Sequence, residues 1–196
     1  DQLVVRTNAR IGAVGLKATY RGLVWEHRRG IALESKFVDD LVAEWETTSV
    51  DFKREMRTNT ADEKAELIKD IIALANTQAS GQRFLIIGFD DRTRKYHGPP
   101  DPKITQEHLE QLTSQYTDSV VDLRYEVVDY RAGPVGKLEV LRKPKKLPYR
   151  VAKAIGDKKR IKQGDLFVRH GSLTEPPTLA ELKAIEQEGG RAKTSG

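Results

Sequence analysis

Four carboxylates are placed where they could do chemistry together. Glu46 and Asp51 stand five positions apart ahead of a helix-start signal, and Asp90 and Asp91 follow an apolar run that leads into a polar turn. Gathered into one cluster, such acids suit a hard divalent cation such as Mg²⁺, which takes carboxylate oxygens and keeps several waters. Acids at strand ends and turns are also ordinary solvated surface, and spacing alone leaves both readings open. Residue types exclude most other site chemistry. The chain has no cysteine, which removes disulfides, thiolate zinc sites and cysteine nucleophiles together. Its four histidines, His27, His97, His108 and His170, show no H-x-x-x-H spacing, so any metal would be held mainly by oxygen. Neither a G-x-x-x-x-G-K-[ST] phosphate loop nor a G-x-S-x-G nucleophile elbow is present.

The elements that must position these acids follow from periodicity. Phe37, Val38, Leu41, Val42 and Trp45 have helical spacing, which puts Glu46 at a helix end. Val50 and Phe52 alternate with Asp51 and Lys53, the pattern of a strand with two different faces. Thr60 and Glu63 form a capping box ahead of an apolar helix through Leu67, Ile68, Ile71, Ile72 and Leu74, ended by Asn76, Thr77 and Gly81. Phe84–Ile87 is apolar without alternation, a strand covered on both faces, and Asp90-Asp91-Arg92-Thr93 is turn chemistry. Thr105 opens another helix. Strands at 125–130 and 137–141 form a hairpin about Gly133-Pro134, a last strand covers 166–169, and Thr178 with Glu181 caps a final helix. The expected class is α+β: a mixed, largely antiparallel sheet with helices packed on one side.

With 196 residues the chain can bury a sizeable core, and 38% apolar with 32% charged residues is the balance of a soluble folded protein. No apolar run approaches the ~20 residues that cross a bilayer, and no signal-peptide pattern opens the chain, so no membrane is expected and the location expected is cytoplasmic. The first residue is Asp1 rather than Met, as in a sequence that has lost N-terminal residues. The net charge of +5 is uneven. From Lys137 to His170 there are twelve Lys and Arg against three acids, a surplus of +9 that leaves −4 for the rest. Charge gathered in one third of the chain suits a surface facing phosphates, and equally a solvated basic face.

Five blocks in order, E-T-T-S-V-D-F-K from Glu46, I-I-A-L-A-N-T-x-x-x-G from Ile71, F-L-I-I-G-F-D-D from Phe84, L-P-Y-R-V from Leu147 and L-F-V-R-H-G-S from Leu166, resemble the Schlafen-like AlbA domain. That family is described as DNA-binding. The segments outside the blocks read as an N-terminal extension (1–35) and, where apolar spacing stops, a flexible tail (189–196), and the resemblance implies an AlbA-like domain (36–188) between them. It also implies, from the family's ribonuclease members, an acidic triad at Glu46, Asp51 and Asp91 that is both catalytic and metal-binding. Asp51 stands where the family has Glu, one methylene shorter, and one of two glycines is missing after Asn76-Thr77.

Two functions follow. The first is a module that grips the RNA or DNA backbone through Lys53, Arg142, Lys143, Lys145, Lys146, Arg150, Lys158, Lys159, Arg160 and Arg169, with Tyr149 stacking on a base or packed beneath the tract. The second is an endoribonuclease acting on tRNA or other structured RNA, with Mg²⁺ or Mn²⁺ as cofactor; the binding module needs none. Nucleic acid is the expected partner, and a homodimer is a further option.

Overall fold

The computed structural model describes residues 35–43, 47–157 and 160–194. Glu46, Lys158, Lys159 and all but the last residue of the 1–35 extension lie outside these. In order the elements are a helix over 35–43 (α1), β1 (Val50–Lys53), α2 (Ala61–Asn76), β2 (Phe84–Ile87), α3 (Gln106–Tyr116), β3 (Asp122–Tyr130), β4 (Gly133–Leu141), a 3-10 turn (Pro144–Lys146), β5 (Val168–His170), β6 (Leu173–Glu175) and α4 (Leu179–Thr194). The class is α+β, as expected. Four strands form one sheet in the order β1-β2-β4-β3, and β5-β6 is a separate antiparallel hairpin. Only β1 and β2 are parallel, with Val50 opposite Phe84 and Lys53 opposite Ile87.

Alternation along β1 decides what reaches each face. Val50 and Phe52 join Phe84, Ile86 and Phe89 in an apolar cluster that Phe37, Val38, Leu41 and Val42 of α1 cover. Asp51 and Lys53 therefore project to the opposite face, where Leu85 and Ile87 pack with α2. Helices thus lie on both faces rather than one. The start of α2 is fixed by reciprocal bonds: Glu63 N–H donates to Thr60 Oγ1 at 3.1 Å, and Thr60 N–H donates to Glu63 Oε2 at 3.0 Å. A cap of this kind is worth about 1 kcal/mol.

Asn76 and Thr77 explain why blocks so distant in sequence occur together. Asn76 donates to the carbonyls of Tyr149 (2.8 Å) and Phe167 (3.2 Å) and accepts from Tyr149 N–H (2.8 Å). Thr77 Oγ1 accepts from Arg169 N–H at 2.8 Å. The end of α2 therefore fastens the 147–151 and 166–172 segments to the core, and it sets where Arg169 emerges. Arg83 closes the turn that lacks a second glycine, donating to the carbonyls of Gly81, Thr77 and Ala79.

Several boundaries differ from expectation: β5 starts at Val168 rather than Leu166, and β3 at Asp122 rather than Tyr125. The β3–β4 turn is Arg131-Ala132, and Gly133-Pro134 begin β4; Pro134 is tolerated because β2 reaches only to Gly136. A strand, β6, pairs with β5 after Gly171-Ser172. The expected tail is helical as far as Thr194, because Gly189 is buried and its missing Cβ lets α4 lie against the Leu147 carbonyl.

Candidate functional site

Four charged side chains meet where β1, α2 and β5 converge. Lys53 Nζ lies 3.0 Å from Asp51 Oδ2 and 2.8 Å from Asp70 Oδ2. Arg169 Nη2 lies 3.3 Å from Asp51 Oδ1. Asp51 and Asp70 are 4% exposed and Arg169 is 2% exposed, so these charges have exchanged water for one another. Thr174 Oγ1 donates to the other oxygen of Asp70 at 3.3 Å. The contacts around Asp51 are ion pairs without hydrogen-bond alignment: Asp51 Oδ2 and the Nε and Nη2 of Arg169 are buried without a hydrogen-bond partner.

Burial lowers the Lys53 pKa, but the Asp70 and Asp51 carboxylates outweigh it and push the group above the usual lysine range. Lys53 is therefore a permanent cation. Burial and the charge of Asp51 push Asp70 upward, with Lys53 opposing them, so Asp70 takes up a proton more readily than an ordinary carboxylate.

Lys53 sits between two depressions. A cleft of about 380 Å³ is lined by Asp51, Lys53, Arg54, Glu55, Asp91 and Ser172. A hollow of about 450 Å³ shares Lys53 and Glu55 with it and adds Arg57, Asp62, Glu66, Asp70 and Arg160. Asp51 and Asp91, two of the three expected catalytic acids, thus face one cleft, at the carboxyl ends of the parallel strands β1 and β2. Glu46 lies outside the described residues. Asp91 is exposed, whereas Asp90 is committed to its turn: Oδ1 accepts from Thr93 N–H (2.8 Å), Thr93 Oγ1 (2.9 Å) and Arg92 N–H (3.2 Å). Those bonds, led by the Thr93 amide, hold the Asp90 carboxyl below the usual range. In donor chemistry Asp51 and Asp91 fit a hard cation, but Lys53 and Arg169 already balance Asp51. Among the described residues no three His, Cys, Asp or Glu side chains converge to hold a metal.

The expected phosphate-binding cations are mostly paired. Arg142 makes a two-pronged contact with Glu188 of α4, Arg150 Nη2 lies 3.0 Å from Glu186, Lys146 Nζ 3.1 Å from Asp122, and Arg160 Nε 2.8 Å from Glu66. Lys53 and Arg169 belong to the buried cluster, and Lys158 and Lys159 are outside the described residues. Lys143, just before the 3-10 turn, and Lys145, on it, remain exposed and make no ion pair among the described residues. Tyr149 is fully buried in the core and is packed, not stacked on a base. Burial pushes its hydroxyl up to about 12.

Asp70, His97 and the cations Arg54, Arg92, Arg94 and Lys95 are absent from the sequence-derived site. A signal for Asp70 exists: it is the acid that interrupts the apolar run from Leu67 to Leu74. No helix among the described residues is long and apolar enough to cross a membrane.

An α+β domain whose acidic cleft opens at the ends of parallel strands, rimmed by cations, is the class that the fold and site define. Residues 46–178 match the family described as Schlafen, AlbA_2, and the chain belongs to this family. No curated protein is significantly similar to the chain. Several solved structures are similar, and two of them illustrate the likeness. One is the DIP2311 protein from Corynebacterium diphtheriae, with 19% identity over 83% of this chain and 29% of its own, TM-score 0.49. Another is the N-terminal domain of a RecG-related protein, named for ATP-dependent DNA helicases, from Nitrosomonas europaea, with 17% identity over 74% of this chain and 94% of its own, TM-score 0.48.

Proposed function

We propose that this domain binds nucleic acid through its backbone phosphates. The observation that carries the reading is the surplus of positive charge in a Schlafen AlbA_2 domain together with exposed lysines, Lys143 and Lys145, that no acid among the described residues neutralises. Exposed, unpaired ammonium groups lose little by meeting phosphate and gain by releasing its counterions. Fluorescence anisotropy with labelled single-stranded RNA, tRNA and duplex DNA across a salt series tests this. Affinity should fall linearly on a log–log plot, by ~0.7 to 0.9 per phosphate contact. Salt-independent affinity, or none, overturns the reading and leaves the charge as solvation.

A second reading, a metal-dependent endoribonuclease, is favoured by the shared cleft of Asp51 and Asp91. In it those two acids, with Glu46, would hold Mg²⁺ or Mn²⁺, which when bound supplies charge stabilisation at a scissile phosphate and an activated water. Lys53, fixed on the cleft wall, would orient the phosphate. Incubating labelled tRNA with Mn²⁺ or with EDTA decides it: cleavage with Mn²⁺ that Asp91→Asn abolishes supports the nuclease. Intact RNA in both, despite tight binding, leaves the binding module alone.

A further inference from the structure

The tract of Lys143 and Lys145 and the acidic cleft lie at opposite ends of the sheet. β4 runs antiparallel to β2, so Leu141 and the tract after it fall beyond Phe84, where β2 starts. Asp91 falls beyond Ile87, where β2 ends. The cations beside the cleft are different ones, on the turn from Asp90 to His97 and at the end of β1.

That turn is fixed by an unusual number of constraints for an exposed segment. Asp90 N–H donates to the Lys95 carbonyl (3.0 Å), Arg94 N–H to the Asp90 carbonyl (2.9 Å), and His97 N–H to the Gly88 carbonyl (2.7 Å). Tyr96 Oη donates to the Pro134 carbonyl at 3.1 Å and its ring meets Phe89 edge-on at 6.0 Å, which ties the turn to the β3–β4 hairpin. Arg94 takes a φ of 56° and lays its guanidinium over the Phe52 ring at 4.3 Å. The geometry leaves Arg92 and Lys95 exposed and without an ion pair among the described residues. Arg54, on the cleft wall, reaches both ends of the turn, 3.7 Å from Asp90 and 3.4 Å from His97.

From this geometry we infer that the 90–97 turn, with Arg54, is the phosphate-binding surface that leads a nucleic-acid strand across the mouth of the Asp51/Asp91 cleft. The inference rests on the nucleic-acid reading above and assigns it a place. Cations held on a rigid turn forfeit little conformational freedom on binding. Arg92 and Lys95 break no intramolecular pair when they meet phosphate, whereas Arg142, Lys146, Arg150 and Arg160 each abandon an acid. A strand held here passes Asp91 and Ser172.

The test compares two double variants of the full chain, Arg92→Glu/Lys95→Glu and Lys143→Glu/Lys145→Glu. All four side chains are exposed, and thermal melts confirm that both variants fold. With labelled single-stranded RNA and DNA, the turn variant should lose affinity roughly tenfold or more, and its salt slope should drop by ~1.4 to 1.8, two contacts at ~0.7 to 0.9 each. Arg92→Lys should retain affinity. Loss in the tract variant with none in the turn variant overturns the inference and leaves nucleic-acid binding standing. Absence of salt-dependent binding by the unmodified chain overturns both. Because the chain has no cysteine, Ser172→Cys and Lys145→Cys give unique attachment points for a backbone-cleaving iron chelate. Cleavage of bound nucleic acid from position 172 supports the assigned path; cleavage from position 145 alone sinks it.

Discussion

The two ends of the four-stranded sheet use positive charge differently. At the end where β1 and β2 finish, Lys53 and Arg169 are locked into a cluster with Asp51 and Asp70, while Arg92 and Lys95, on the turn after β2, are exposed and make no ion pair among the described residues. At the other end, Arg142 and Arg150 reach acids of α4 and bind that helix to the body of the domain. A linear count of charge makes the second region the basic one. Its pairing makes it largely architecture. Position in the fold, more than the number of lysines, decides which cations are available to a phosphate.

Removing Lys53 should give the largest effect, because it leaves Asp51 and Asp70 facing each other in a buried site. Lys53→Met should cost about 2 to 3 kcal/mol near neutral pH in a denaturant titration, less than breaking a fully buried pair because the Lys53 side chain is 37% exposed and Arg169 still faces Asp51. The cost should shrink in mild acid. In the variant the folded-state pKa of Asp70 stays above its unfolded value, so the folded state binds more protons and stability falls as pH rises through that range. A loss independent of pH would mean that lost packing dominates.

At the tract end, Arg142→Ala should cost about 2 kcal/mol, the range for charge-assisted hydrogen bonds. The same titration should find Lys143→Ala/Lys145→Ala within about 0.5 kcal/mol of the unmodified protein. Equal losses in both would erase the distinction between paired and free cations on which the comparison rests.

Much of this was legible in the sequence because it is local. The Thr60–Glu63 box, the unalternating β2 and the Val50/Phe52 alternation each depend on neighbours within a turn or a strand, and each appears where expected. The cleft was half legible: alternation separates Asp51 from the apolar face, and Asp90 reads as a turn residue. What was hidden is long-range partnership. Arg169 meets Asp51 across 118 positions, and Arg142 finds Glu188 on a helix whose docking depends on Gly189. Spacing cannot show that a cation is already taken, so the tract looked freer than it is.

A smaller effect separates the two neighbouring acids of the 90–97 turn. Asp90→Ala removes the acceptor of three bonds and should lower the melting temperature and loosen the turn, with nucleic-acid affinity falling as Arg92 and Lys95 lose their fixed positions. Asp91→Ala removes no side-chain hydrogen bond among the described residues and should leave the melting temperature unchanged. The reverse ranking would mean that the turn is held by something other than its Asp90 cap.

The smallest expected effect is a pH dependence at the β5–α4 junction. His170 Nε2 lies 2.7 Å from Glu181 Oε1, and Nδ1 3.4 Å from Glu175 Oε2. The Glu181 and Glu175 bonds raise the His170 pKa above its ordinary 6.5. The His170 bond, with those from Thr178, holds Glu181 down to about 2, below its ordinary 4.5. Raised His170 stabilises fully below pH 6.5 and loses that contribution as pH rises through its folded-state value. Lowered Glu181 stabilises above pH 4.5 and loses its contribution as pH falls towards 2. The pair should therefore contribute most between those limits, at pH 4.5 to 6.5. Both side chains are more than a third exposed, so screening keeps the gain to about 1 kcal/mol or less. The difference in melting temperature between the unmodified protein and His170→Gln should peak in that window and shrink on both sides. A difference that stays flat from pH 4 to pH 8 would show that His170 acts at this junction through packing, and that its charge is as dispensable to the fold as those of Arg92 and Lys95.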